Sequence, residues 1–219
     1  MTDADIAAAD KKRRFKKTLF AMVLGGAAGF LAAFTALQLM DAETMPEFGA
    51  SVEVAVLVGL IYVITALAVA VGVLSPRAGA KFLNVEDAEE LQEQRSMLTT
   101  SAIGMGAAGI ALVVVALGGS VGLVDPTVAL VVYAVLCALA VWVSLKSWKL
   151  QDELMRAVGR ESGAMTFYLV VAIGGTWALL AHLGFVAGPQ ALDWLTMFWG
   201  LMLLACFIVV GKRGMLVMR

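Results

Sequence analysis

Long stretches almost without charged side chains, divided by short blocks in which the charges collect, constrain this chain more than any motif in it. A helix that is apolar all the way round has no face for water, so it must lie in a large core or in lipid. Six such stretches fall at 18–40, 52–74, 98–118, 127–145, 165–185 and 191–210. Each meets the roughly 17–25 residues needed to cross about 30 Å of hydrocarbon. Hydrophobic residues make up 61% of the 219 and charged ones 15%, against about 45–50% and about 25% in an ordinary soluble domain. The predicted fold class is all-α: a polytopic membrane protein with six transmembrane helices.

The basic residues set the expected orientation, because Lys and Arg are retained in cytoplasmic loops and depleted from translocated ones. All 16 fall on one side of the predicted spans: Lys11 to Lys17 before the first, then Arg77, Lys81 and Arg95, then Lys146, Lys149, Arg156 and Arg160, and finally Lys212, Arg213 and Arg219. The other side carries Asp41, Glu43, Glu47, Glu53, Asp125 and Asp193 and no basic residue. Both termini are therefore predicted to be cytoplasmic. The apolar run at 18–40 is longer than the roughly 7–15 residues of a signal-peptide core, so it reads as a retained anchor.

The organisation expected is a basic cytoplasmic segment at 1–17, a six-helix membrane domain at 18–211 and a cytoplasmic tail at 212–219. Short outer connections group the spans into three hairpins. The longer inner connections, 76–97 and 146–164, are the sizeable soluble parts. In the first, Asn84 with Asp87 makes a loose capping box for a short acidic helix running into the third span. In the second, Asp152 and Arg156 share a helical face, while Leu150, Leu154 and Val158 line another. Both connections are expected to be helical extensions of spans 3 and 5 and to lie side by side. All four prolines sit in loops or at span ends, which predicts unbroken spans. Gly25 with Gly29, Ala102 with Gly106, and Gly104 with Ala108 have the four-residue spacing that lets helix backbones approach.

Residues able to carry chemistry are scarce. Glu53 and Asp193 start spans, where a carboxylate complements the helix dipole, although each could also stand at a pore mouth. His182, late in span 5, reads as interfacial, with a ligand or proton-relay role as the alternative. One histidine cannot supply paired haem ligation or a multi-histidine metal site. Cys137 and Cys206 lie in mid-span and read as small packing residues. Thr35, Gln38, Thr65 and Ser144 are expected to hydrogen-bond between helices. No phosphate loop or metal-ligand spacing is present in the sequence. Catalytic residues, cofactors and metals are thus none by expectation, and direct nucleic-acid binding is not expected.

The element Asp152-Glu153-Leu154-Met155-Arg156, with the following stretch from Phe167-Tyr168 to Gly184, resembles a group of small uncharacterised bacterial membrane proteins. Members carry a similar acidic-acidic-hydrophobic-x-Arg element before an apolar helix and are often encoded beside helix-turn-helix regulators. The resemblance covers the last third of the chain. It implies a multi-pass protein of the bacterial inner membrane and carries over no catalytic residue.

The functional expectation is a non-enzymatic regulatory or scaffold protein in the lipid bilayer. Its cytoplasmic connections would bind a cytosolic protein such as a small DNA-binding regulator, which it could sequester. The candidate contact residues are Glu89, Glu90, Glu93, Arg95, Asp152, Glu153 and Arg156. A small-solute transporter or channel, or an accessory subunit of a larger complex, is the alternative, and homo-oligomerisation is left open.

Overall fold

The computed structural model describes residues 3–41, 48–75, 79, 88–119 and 121–216. The described chain is helical: α1 (Asp3–Met40), α2 (Ala50–Leu74), α3 (Ala88–Glu93), α4 (Arg95–Leu117), α5 (Pro126–Leu150), α6 (Glu153–Leu169), α7 (Thr176–His182) and α8 (Ala191–Lys212). A π-helical segment, Val170–Gly175, joins α6 to α7 into one rod. Five helices are long and apolar enough to cross a membrane: α2, α4, α5, the rod Glu153–His182 and α8. This is the make-up of a multi-pass membrane protein. In α1 the described apolar stretch is the shorter Gly25–Met40. From Asp3 onward the basic segment is helical and continuous with this stretch.

Lipid is as apolar as the side chains, so helices in it associate through van der Waals fit and a few hydrogen bonds rather than through expulsion of water. The best fit in this chain is between α2 and α4. Gly59 and Gly109 face one another so closely that a Cβ on Gly109 would stand 2.6 Å from the Gly59 carbonyl oxygen and 2.8 Å from Tyr62 Cβ. Ala55, Ala111 and Leu112 are completely enclosed beside this crossing. Ala55 and Leu112 belong to a cluster with Val52, Val56 and Ala116, against which Met40, Leu192 and Trp199 pack from α1 and α8. The α5 helix lies along the far side of α4, and α8 is clasped to α2 by the Tyr62 hydroxyl. That hydroxyl donates to the Trp199 carbonyl at 2.8 Å, and the two rings meet edge to face at 6.0 Å.

Several expectations are corrected by this packing. Among the described residues, no atom of another helix comes within 4 Å of a Cβ built on Gly25 or Gly29, so that pair makes no close crossing with them. Thr35 and Thr65 donate to Leu31 and Ile61 on their own helices, while Gln38 and Ser144 are exposed. A threonine hydroxyl finds its carbonyl one turn back more readily than on a neighbouring helix. Span 5 is not regular: six residues, Val170–Gly175, widen into π geometry, and Trp194 of α8 packs there so tightly that a Cβ on Gly174 would meet its ring at 2.8 Å. A π turn needs no proline, so the absence of proline could not exclude it.

The α4–α5 turn shows how the helix ends are set. Gly119 and Gly122 take positive φ, at 56° and 70°, a region that side chains disfavour. Pro126 opens α5 and Asp125 caps it, accepting from the N–H of Thr127 at 2.8 Å and of Val128 at 3.3 Å. Those bonds hold the Asp125 carboxyl below its usual range, the Val128 N–H contributing most. Because the folded-state pKa is lowered, the cap stabilises the protein above the ordinary carboxylate range. That contribution disappears as pH falls through the folded value. Asp125→Ala is expected to lower the melting temperature at neutral pH and to flatten its decline in acid, as measured by thermal unfolding in detergent from neutral pH to below pH 4.

Candidate functional site

The expected contact residues stand at one end of the bundle, where α2, α5 and α8 finish and α3, α4 and α6 begin. Asn84 and Asp87 lie outside the described residues. The short helix α3 is held by Leu91, which is 1% exposed and fits against Gly79 and the end of α2 at Val73 and Leu74. A Cβ on Gly79 would meet Leu91 Cδ2 at 2.8 Å and the backbone of Gly72. With Leu91 turned inward, Glu89, Gln92 and Glu93 face outward. Gln94 takes a turn conformation between α3 and α4, and its amide donates to Glu90 Oε1 at 3.0 Å. The described part of the first connection is thus a short helix divided from α4 by the single turn residue Gln94.

The second connection does continue into its span, with α6, the π segment and α7 forming one rod. Asp152 and Arg156, expected on one helical face, take separate backbone partners. Asp152 caps α6, accepting from the Met155 N–H at 2.7 Å, and Arg156 Nε reaches back to the Trp148 carbonyl at 3.2 Å. Competition for the free N–H groups of a helix start explains the outcome, since a side chain at the cap satisfies a donor that has no other partner. Glu153 is exposed in the first turn. The α6 helix packs along α8 rather than beside α3. Near its middle Glu161 accepts from Arg213 beyond the end of α8, with 3.1 Å between Nε and Oε2. The two acidic groups, on α3 and on α6, thus occupy separate positions at the same end.

At the opposite end, His182 is exposed in the last residue of α7. Asp193 accepts from the Gln190 N–H at 2.7 Å, closing the start of α8, which is the capping role its position suggested. Cys137 and Cys206 are half-buried free thiols. Among the described residues, no three His, Cys, Asp or Glu side chains gather to hold a metal ion.

One residue at the α3 end was not singled out by the sequence. Lys146, late in α5, lines a polar recess with Gln92, Glu93, Arg95, Ser96 and Thr99, and its ammonium stands 5.7 Å from the centre of the Trp142 ring. The signal was two cations at matching ends of neighbouring helices, which can be read only once α4 and α5 are known to be adjacent. The comparisons add no relative: no family model, no curated protein and no solved structure matches this chain.

Proposed function

We infer that this chain is a non-enzymatic membrane scaffold whose acidic end, turned to the cytoplasm, holds a basic protein surface, such as that of a small DNA-binding regulator. The observation that carries this reading is the anchoring of α3. A helix of six residues is far too short to persist alone in water, yet Leu91 is fully buried and holds the outward edge with Glu89 and Glu93 in place. Fixed exposed carboxylates give a directed negative potential, which steers and orients a basic partner. The close α2–α4 crossing also supports it, because backbone-to-backbone contact at Gly59 and Gly109 leaves no room there for a polar path between those helices.

The reading requires six spans and both termini in the cytoplasm. A single cysteine at the exposed Gln92, in a cysteine-free background, should react only with reagents that enter the cell; Leu91 itself is too buried to serve as the probe. For the interaction, the triple variant Glu89→Lys/Glu93→Lys/Glu153→Lys should insert normally and lose the wild-type partner by at least about tenfold when recovered from native membranes in mild detergent. Wild-type binding should weaken with salt, since exposed charges are screened beyond about 8–10 Å at physiological ionic strength. Retention of the same proteins by the triple variant would overturn this reading.

A further inference from the structure

The side of the bundle between α2 and α4 is not filled. Below the Gly59–Gly109 crossing, the small residues Ala66, Ala102 and Gly106 floor an open groove of about 380 Å³ that reaches Leu74 on α2 and Arg95 on α4. Leu67, Ile103 and Ile110 form its rims and are each about half exposed. From Val63 to Leu74 the groove runs for about 16 Å at the 1.5 Å rise of a helix. That is close to half of the roughly 30 Å hydrocarbon thickness, the depth of one leaflet. Its end is polar: Arg95 and Thr99 line both the groove and the adjoining recess, in which Lys146 and the carboxylate of Glu93 also stand. Two cations against one carboxylate leave a single net positive charge, which one phosphodiester would balance.

We propose that this groove and recess form a binding site for an anionic glycerophospholipid of the phosphatidylglycerol type. An acyl chain lies between α2 and α4, and the phosphate sits between Arg95 and Lys146. The headgroup hydroxyls donate to Glu93 and exchange hydrogen bonds with Gln92, Ser96 and Thr99. A guanidinium presents a fork of donors to phosphate oxygens, and an ammonium adds a point charge, so the pair selects charge as well as shape. The site shares Glu93 with the protein-partner reading, but its two cations, Arg95 and Lys146, stand in the recess at α4 and α5 and have no part in that reading, so their variants test the lipid site alone.

The test is native mass spectrometry of the full chain in detergent, titrated with phosphatidylglycerol or with phosphatidylcholine of the same acyl chains. The wild type should retain phosphatidylglycerol preferentially. Arg95→Gln and Lys146→Gln should each weaken it about fivefold, and together about thirtyfold, at roughly 1 kcal/mol for each basic residue near a membrane surface. Ala70→Phe, which fills the groove and leaves both cations in place, should reduce retention as well. Lys149→Gln removes a cation at the same end that does not line the recess, and it should change nothing. Equal retention of the two lipids would overturn the proposal by showing no selection for charge, and a loss in Lys149→Gln as large as in Arg95→Gln would overturn it in favour of diffuse charge attraction. A melting temperature within a few degrees of wild type for the Arg95 and Lys146 variants would separate lost binding from lost folding. If one of these fails to fold, the other carries the test.

Discussion

Gly109→Val is expected to destabilise the α2–α4 crossing far more than the same change at Gly25 or Gly29 destabilises α1. At Gly109 a Cβ alone would stand 2.6 Å from the Gly59 carbonyl oxygen, 2.8 Å from Tyr62 Cβ and 2.9 Å from Val63 Cγ2. The first of these is backbone, which cannot turn aside. The helices would have to separate, and separation would strip contacts from Ala55, Ala111 and Leu112, which now have no exposure. Overpacking costs about 1–3 kcal/mol where side chains can shift, and more where they cannot. Since the rigid neighbour here is backbone, the loss should lie at or beyond the upper end of that range. The comparison variants are Gly25→Val and Gly29→Val, which introduce the same side chain where nothing lies within 4 Å. Steric-trap unfolding of the full chain in bicelles should show a large loss for Gly109→Val and almost none for the other two. A comparable loss at Gly25 would mean that another chain covers α1 in the membrane, and an undisturbed Gly109→Val would show that the crossing is looser than the contacts imply.

These glycines also show how far the sequence can be read. The four-residue spacing of Gly25 and Gly29 is the pattern of a close helix crossing, yet among the described residues nothing comes within 4 Å of it, while Gly59, alone in the middle of its span, makes the close crossing with Gly109. Spacing along one helix says that a backbone can be approached; it does not say which helix approaches it. The partner is set by the sum of fits over all helices, and that information is distributed among several spans. The apolar stretches themselves were legible because hydrocarbon imposes a length and a composition on every crossing helix. Asp193 was legible for a related reason, since the free N–H groups at a helix start need an acceptor wherever the helix lies.

The end of the bundle was legible in part. The charges of Glu89, Glu93 and Glu153 are exposed, as their density in the sequence suggested. The spacing of Asp152 and Arg156 places them on one helical face but does not name their partners, which are the α6 cap and the Trp148 carbonyl. Lys146 escaped because its significance comes from Arg95 on another helix. In the same way, the π segment Val170–Gly175 contains no proline to announce it, and the Trp194 ring of another helix packs beside its Gly174.

Leu91→Ala is expected to release α3 while leaving the rest of the bundle folded. The α3 helix has six residues and makes few contacts with α4, so its position depends chiefly on Leu91, which is 1% exposed against Gly79 and the end of α2. Truncating a buried leucine costs about 2–5 kcal/mol, according to how far the surroundings close over the gap. At about 1.4 kcal/mol per tenfold, even the lower figure shifts docked against undocked α3 by more than an order of magnitude. Hydrogen exchange should therefore rise strongly at amides 89–94 and stay near wild type in the α2–α4 crossing. Gly79→Ala would crowd both the Gly72 backbone and Leu91 Cδ2, so in the double variant only the part of its loss that comes from Leu91 should be recovered. Partner capture supplies a readout that a purely local packing role would not move: all the acidic residues remain in Leu91→Ala, yet binding should fall as it does when the charges are reversed. If α3 is released and capture is unchanged, the position of the carboxylates is irrelevant to binding and only their charge matters. If exchange at 89–94 does not rise, Leu91 is not what holds the acidic edge in place, and the observation on which the scaffold reading rests is lost.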